Sequence, residues 1–365
     1  MNSFNKIPFY AKVALIFICV FFLVYGMYLS REIMLPLVFA LLVAILLNPL
    51  VNFLLSKKIE KITSISIVVV IATLAVMGAI YLISSQIALL RETFPEVKDK
   101  FNALNTQFVR WVSINFKIPE TSINSWIKQS ENQIMQNFSM GENLAIFGRL
   151  MMDGILVPIY AFLFLYYKPL LLDFILRLFK IDHHVAVTEV LLSTKKIIQS
   201  YLVGLFIELI IVAILNSACL LLLGIDYAVI LGVIGAIINI IPYIGGMIGM
   251  IFPMIIALIT KDSVSYTIYI FIIYTIIQFV DNHYLKPYVV ASRVKINALI
   301  ALIVIFIGEA VWGISGMFLS IPLTAMVKVI FDHIEPLKPW GLLLGNTVPP
   351  TPKFAFMRKK QKSIS

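Results

Sequence analysis

The chain has 365 residues, of which 61% are hydrophobic and 13% charged. A soluble domain carries about 25% charged residues and about half apolar ones, so this composition excludes a soluble globular domain and predicts an all-α polytopic membrane protein. The net charge of +10 then has to be read by its distribution along the chain, and it is not a nucleic-acid footprint.

Lys6 and Lys12 precede the apolar run Val13–Leu29. That run is long for a signal peptide and lacks a small-residue cleavage site. It leads through Arg31-Glu32 straight into another apolar run, so it is expected to be an uncleaved first span. Ile33–Leu55 and Ile62–Leu90 follow, each long enough for the roughly 20 helical residues that cross a bilayer core. Residues 91–153 differ, with seven basic and seven acidic residues. Phe101, Leu104, Phe108 and Trp111 recur at helical spacing, as do Ile123, Trp126 and Ile134. Pro119-Glu120-Thr121-Ser122 supplies a break and an N-cap. A small extracytoplasmic helical insert is predicted there.

A weaker span lies around Ala145–Leu172, with Asp153 and Lys168 bounding its uncharged centre. Lys168–Lys196 interleaves Leu, Ile and Phe with Arg177, Lys180 and Lys195-Lys196, the pattern of an amphipathic interfacial segment. Ile197–Leu223 and Ser263–Leu285 are clear spans. Arg358-Lys359-Lys360-Gln361-Lys362 ends the chain as a basic tail suited to anionic headgroups. The expected organisation is three spans in 1–90, the insert in 91–153 and a span with its amphipathic linker in 154–200. A transport core in 201–335 and the tail in 336–365 complete it.

Two apolar stretches are broken in the middle. Tyr227–Ile259 is interrupted at Asn239–Gly246, and Ile296–Phe331 at Gly308–Gly316, with Pro322 beyond. The first has 33 residues, roughly 50 Å as one helix, which is too long for an ordinary span, while each arm alone is too short. A hairpin that enters, turns near mid-membrane and leaves on the same side fits both lengths. Charge favours this reading over two tilted spans. With both as hairpins the inside holds 20 Lys/Arg against 6 Asp/Glu and the outside 9 against 10, a positive-inside pattern. With full crossings, Lys286, Arg293 and Lys295 move outside. The hairpin reading gives about six transmembrane helices plus two re-entrant hairpins, arranged as an inverted span-plus-hairpin repeat that suits alternating access.

No hydrolase, kinase, P-loop or zinc-protease motif is present, and neither an enzymatic activity nor a cofactor or metal is expected. His183-His184 has poor metal spacing, and Cys19 and Cys219 sit in apolar runs as small hydrophobes. Three acids fall in or near apolar runs: Glu208, Asp281 and Glu309. Ionisable groups there are expensive and usually face a cavity or a partner. Each is a candidate coupling acid. The structural alternatives are an inter-helix contact for Glu208, a lock of Asp281 to Lys286 or Arg293, and an anchor of the hairpin tip for Glu309. Gly245, Gly246, Gly249, Gly308, Gly313 and Gly316 allow tight turns and close helix approach. Pro242 and Pro322 free carbonyls, which with Asn239 and Asn282 could hold a small polar solute or a monovalent cation or proton.

The runs Ile241-Pro242-Tyr243-Ile244-Gly245-Gly246-Met247-Ile248-Gly249, Asp281-Asn282 with Pro287, and Gly313-Ile314-Ser315-Gly316 through Ser320-Ile321-Pro322 resemble the autoinducer-2 exporter family of bacterial membrane proteins. Pro36, Asn48-Pro49, the insert and Gly204 after Tyr201-Leu202 extend the resemblance over nearly the whole chain. Two departures stand out. Gly246 occupies a position where the family often has proline, and Glu309 one where a small residue is common. The resemblance implies a secondary carrier in the bacterial cytoplasmic membrane, with both termini cytoplasmic, that exports a small polar solute or exchanges sodium or lithium for protons. It also implies a homo-oligomer, with a pentamer among the assemblies. A channel or a non-transporting scaffold is the alternative of another class.

Overall fold

The computed structural model describes residues 8–117, 119–122, 124–126, 140–241, 245–261, 263–291 and 296–346. Among the described residues, eleven α-helices carry the fold. They are α1 (Phe9–Leu29), α2 (Arg31–Ser56), α3 (Lys61–Phe116), α4 (Met140–Tyr166), α5 (Lys168–Arg177), α6 (His184–Leu222), α7 (Ala228–Asn239), α8 (Gly245–Thr260), α9 (Ser265–Val280), α10 (Ala298–His333) and α11 (Lys338–Leu344). A π-helical segment, Asp281–Ala291, continues α9. The protein is an all-α polytopic membrane protein, and many of its Leu, Ile, Val and Phe side chains lie on the outer surface, as a lipid solvent requires. Among the described residues, six helices have the length and apolar composition of a membrane span.

Several boundaries differ from those read in the sequence. The apolar part of the third span, Lys61–Leu82, agrees with the sequence reading, but its helix does not end with it: α3 continues to Phe116 and runs directly into the insert. Pro95 lies within this helix without ending it. The weak span around Ala145–Leu172 is bent by 63° between Tyr166 and Lys168. Pro169 accounts for the place, since proline is accommodated in the first turn of a new helix. The amphipathic stretch 168–196 is divided: α5 holds its first part, whereas 184–196 is continuous with the span in α6. Ile123 and residues 127–139 of the insert and the basic tail, 347–365, lie outside the described residues, as do Arg293 and Lys295.

Helix α6 is the central wall. At its Leu222 end the chain reverses through Gly224 (φ +65) and Tyr227 (φ +59), and α7 runs back along it. The Asn216 amide donates to the Gly232 carbonyl at 3.4 Å and the Ser217 hydroxyl to the Val229 carbonyl at 3.3 Å. Leu220, Ile225, Ala228, Leu231, Ala257, Ile270 and Tyr274 close one apolar core around this half of α6. The other half packs on α2 and α10 through Leu42, Ile198, Tyr201, Leu205, Trp312, Leu319 and Ala325.

Both broken segments fold back on themselves. In the first, a Cβ at Gly249 would lie 2.9 Å from the Gly235 carbonyl oxygen, and one at Gly245 would collide with the Ile238 carbonyl. These pairs are centred on residue 242, so α7 and α8 are antiparallel arms. In the second, Gly308 and Gly316 pack backbone to backbone, and the Ser320 hydroxyl donates to the Val304 carbonyl at 2.7 Å. These pairs are centred on Trp312, so 298–312 and 314–333 are also antiparallel arms. Gly313 makes the reversal with φ +62 and ψ −145, a conformation essentially reserved for glycine. In chain order, α7 and α8 lie between α6 and α9, and α10 follows α9 and its π-helical extension.

Candidate functional site

Helix α7 ends at Asn239 with a tightened turn, in which the Ile240 and Ile241 amides bond to carbonyls three residues back. Helix α8 resumes at Gly245, whose amide bonds to the Ile241 carbonyl at 3.0 Å. Pro242, between them, lies outside the described residues. The absence of side chains at Gly245 and Gly246 lets the tip close on itself and lets the Gln278 side-chain amide of α9 press against Gly246. The tip of the first hairpin therefore meets the end of α9.

A buried polar cluster forms at that junction. The Asn239 amide donates to Asp281 Oδ2 at 2.9 Å. The Gln278 amide donates to Asn239 Oδ1 at 3.1 Å. Lys286 Nζ lies 2.8 Å from Asp281 Oδ2 and 3.6 Å from Glu208 Oε1, and it donates to Asn282 Oδ1 at 3.3 Å. Asp281 is 0% exposed, Asn239 3% and Glu208 4%. The π-helical backbone explains the Asp281–Lys286 pair, since its i→i+5 hydrogen bonds stack residues five apart.

Depth follows from the same helices. Glu208 lies 14 residues before Leu222, roughly 21 Å along α6, and Asp281 lies 16 residues after Ser265, roughly 24 Å along α9. Both distances run from the same end of the bundle, which puts the cluster inside the apolar layer of about 30 Å.

Among the described residues its charge does not balance. Two carboxylates face one ammonium, and Glu208 Oε2 and Asp281 Oδ1 have no hydrogen-bond partner among those residues. An unpaired buried charge costs several kcal/mol or more, so the arrangement is suited to taking up one positive charge, as a proton or a monovalent cation. Hard oxygen donors from Glu208 and Asp281 fit either.

The structure brings Asn239, Gly245, Gly246, Glu208, Asp281 and Asn282 together. Gly249 lies further down the hairpin seam, against Gly235. Gly308, Gly313, Gly316 and Pro322 form a second, separate grouping. There the Ser320 hydroxyl also reaches the Gly316 carbonyl at 2.6 Å, and the Trp312 indole donates to the Met27 carbonyl at 3.0 Å. The second tip thus reaches the last turn of α1 and stays apart from the charged cluster. Glu309 is exposed near that tip and makes no ion pair or hydrogen bond with the cluster. Gln278 was not singled out in the sequence, although it is the lone amide in an apolar helix and stands three residues before Asp281, on the same face.

Residues 16–335 match the family described as AI-2E family transporter. The chain is 26% identical to Putative transport protein YueF of Bacillus subtilis over 82% of this chain and 83% of that one. It is 22% identical to Putative transport protein YhhT of Escherichia coli K12, over 88% and 90% respectively. It is 23% identical to AI-2 transport protein TqsA of the same strain, over 84% and 88%.

Proposed function

The chain belongs to the AI-2E family of transporters, and on that premise we propose that it is a secondary exporter of a small polar solute driven by a proton or cation gradient. The observation that carries this reading is the unbalanced cluster Glu208–Asp281–Lys286, held by Asn239 at the tip of a folded-back helix pair. Loading one proton there neutralises the cluster, and losing it restores the charge. That is the minimal coupling element of a carrier. The solute is moved without chemical conversion, in the bacterial cytoplasmic membrane, by a homo-oligomer, a pentamer being one assembly that the resemblance implies.

In this reading both hairpins are re-entrant. Helix α6 with the first hairpin and α9 with the second form two units of opposite orientation, which exchange roles as the site opens to either face. Asn239, Gly245 and Gly246 then line the moving end of the pathway. The leftover negative charge also favours a second reading, sodium or lithium exchange for protons at the same carboxylates.

Proteoliposome flux separates these. An exporter shows saturable solute flux that rises with an imposed pH gradient. An antiporter shows sodium or lithium flux coupled to proton movement with no solute present. Conductance that does not respond to a gradient as a coupled carrier must would sink both and leave a channel.

The topology has its own test, which rests on the run of three basic and no acidic residues over 286–295. A cysteine at Ser292, in a chain lacking Cys19 and Cys219, is expected to react with an impermeant maleimide only from the cytoplasmic side. Labelling in intact cells would remove the re-entrant arrangement.

A further inference from the structure

Apart from the charged cluster, α2, α3 and the α4–α5 bend enclose a cleft of about 240 Å³. Its floor is apolar, with Ile65 and Leu165, and its rim carries Asn48, Asn52, Lys61 and Lys168. Lys168 stands at the head of α5, past the end of the span. Its ammonium donates to Asn48 Oδ1 at 2.8 Å, and Lys61 donates to the Tyr166 carbonyl at 2.8 Å. Burial pulls the Lys168 ammonium below its ordinary pKa, and the like charges of Lys195 and Lys61 pull in the same direction. Among the described residues no carboxylate pairs with any of the three. Asn48 is 5% exposed, yet its Nδ2 donor has no partner.

Two ammonium groups on the rim, with no carboxylate partner among the described residues, and one unused buried donor call for an acceptor-rich anion. The apolar floor and the position at the end of three spans say that this anion is attached to something greasy. We propose that the cleft binds one anionic phospholipid, its phosphodiester headgroup held by Lys61, Lys168 and Asn48 and its glycerol end and upper acyl chain lying on Ile65 and Leu165. Basic pockets between membrane helices are suited to such headgroups. The bound lipid bridges α2, α3 and the α4–α5 bend, whose inner ends otherwise repel one another.

The test uses the full-length protein purified in uncharged detergent, with its thermal midpoint followed against added phosphatidylglycerol, phosphatidylcholine or inorganic phosphate. Phosphatidylglycerol is expected to raise the midpoint saturably, and the other two to leave it unchanged. The K61Q/K168Q variant is expected to weaken the phosphatidylglycerol response about tenfold or more, two charges each contributing on the order of 1 kcal/mol. Lys61→Arg is expected to keep it. If the double variant does not fold, Lys61→Gln alone gives the same comparison at a smaller amplitude. Equal stabilisation by phosphatidylcholine would make this an unselective lipid groove. Equal stabilisation by inorganic phosphate would make it a free-anion site, and an undiminished response in the lysine variants would place the lipid elsewhere. Each of these three results overturns the proposal. None bears on the transport reading, because Glu208, Asp281 and Lys286 lie outside the cleft.

Discussion

Asp281→Asn is expected to abolish gradient-driven flux, by at least about tenfold, in a protein that still inserts and purifies. The change is nearly isosteric, and it removes the 2.8 Å partner of Lys286. The ammonium then faces only Glu208, at 3.6 Å, and the cluster becomes neutral without taking anything up. A site that is already neutral has nothing to load. Removing one partner of a buried pair costs about 3–5 kcal/mol when the other charge is stranded. Here Glu208 remains, so the stability loss should fall below that range. Lys286→Met is the harsher change, because it leaves two carboxylates facing each other with no cation. Glu309→Gln is the control. That side chain is exposed and outside the cluster, so both flux and its pH response should stay at wild-type levels. Flux measured on the three variants in matched proteoliposomes decides the matter. Normal transport by Asp281→Asn with loss in Glu309→Gln would move the coupling to the second hairpin.

Gly249→Leu is expected to destroy both flux and thermal stability, for a reason independent of charge. The two arms of the first hairpin touch through Gly235 and Gly249, and even a Cβ at Gly249 would lie 2.9 Å from the opposing carbonyl oxygen. That oxygen belongs to backbone and cannot swing aside. A leucine must push the arms apart, an overpacking penalty of about 1–3 kcal/mol or more. It also lifts Asn239 off Asp281, because the hydrogen bond between them is 2.9 Å long with no slack. Gly78→Leu is the matched control, since nothing lies within 4 Å of the added Cβ there. Unfolding midpoints in detergent should fall for the first and stay for the second. A Gly249→Leu protein with a normal midpoint and normal flux would mean that the arms do not pack this way.

Much of this was legible in the sequence, and the parts that were not have physical causes. Glycine and proline inside apolar runs are costly unless they buy a reversal, so the two breaks at Asn239–Gly246 and Gly308–Gly316 stood out. What the sequence does not separate is why each glycine is needed. Gly245 is required by contact with the Ile238 carbonyl, and Gly313 by its dihedral angles in otherwise open space. Asp281 could be matched to Lys286 or Arg293 on charge alone, and only the π-helical winding shows that Lys286 comes beneath it. Glu208 and Asn239 come from segments 31 residues apart that meet through a third helix, which no local periodicity reports. Glu309 drew notice as an acid in an apolar run, yet its hairpin tip faces α1 and leaves the carboxylate uncovered. Both the third span and the start of the insert read as helix in the sequence, but nothing local shows that they are one continuous helix, because the apolar face fades between them while the backbone winding runs on.

The leftover charge of the cluster has an electrical consequence. On the proposed cycle the filled site is neutral and the empty site carries one negative charge. The membrane potential does no work on the first and acts on the second. One elementary charge crossing the whole field corresponds to about 2.3 kcal/mol per 100 mV, and a site alternating between the two faces samples some fraction of that. With the cell interior negative, the field drives the empty site toward the outward-open state. A polarised cell thus parks the idle carrier facing the medium from which protons are drawn, and voltage, not only the pH difference, speeds its resetting step.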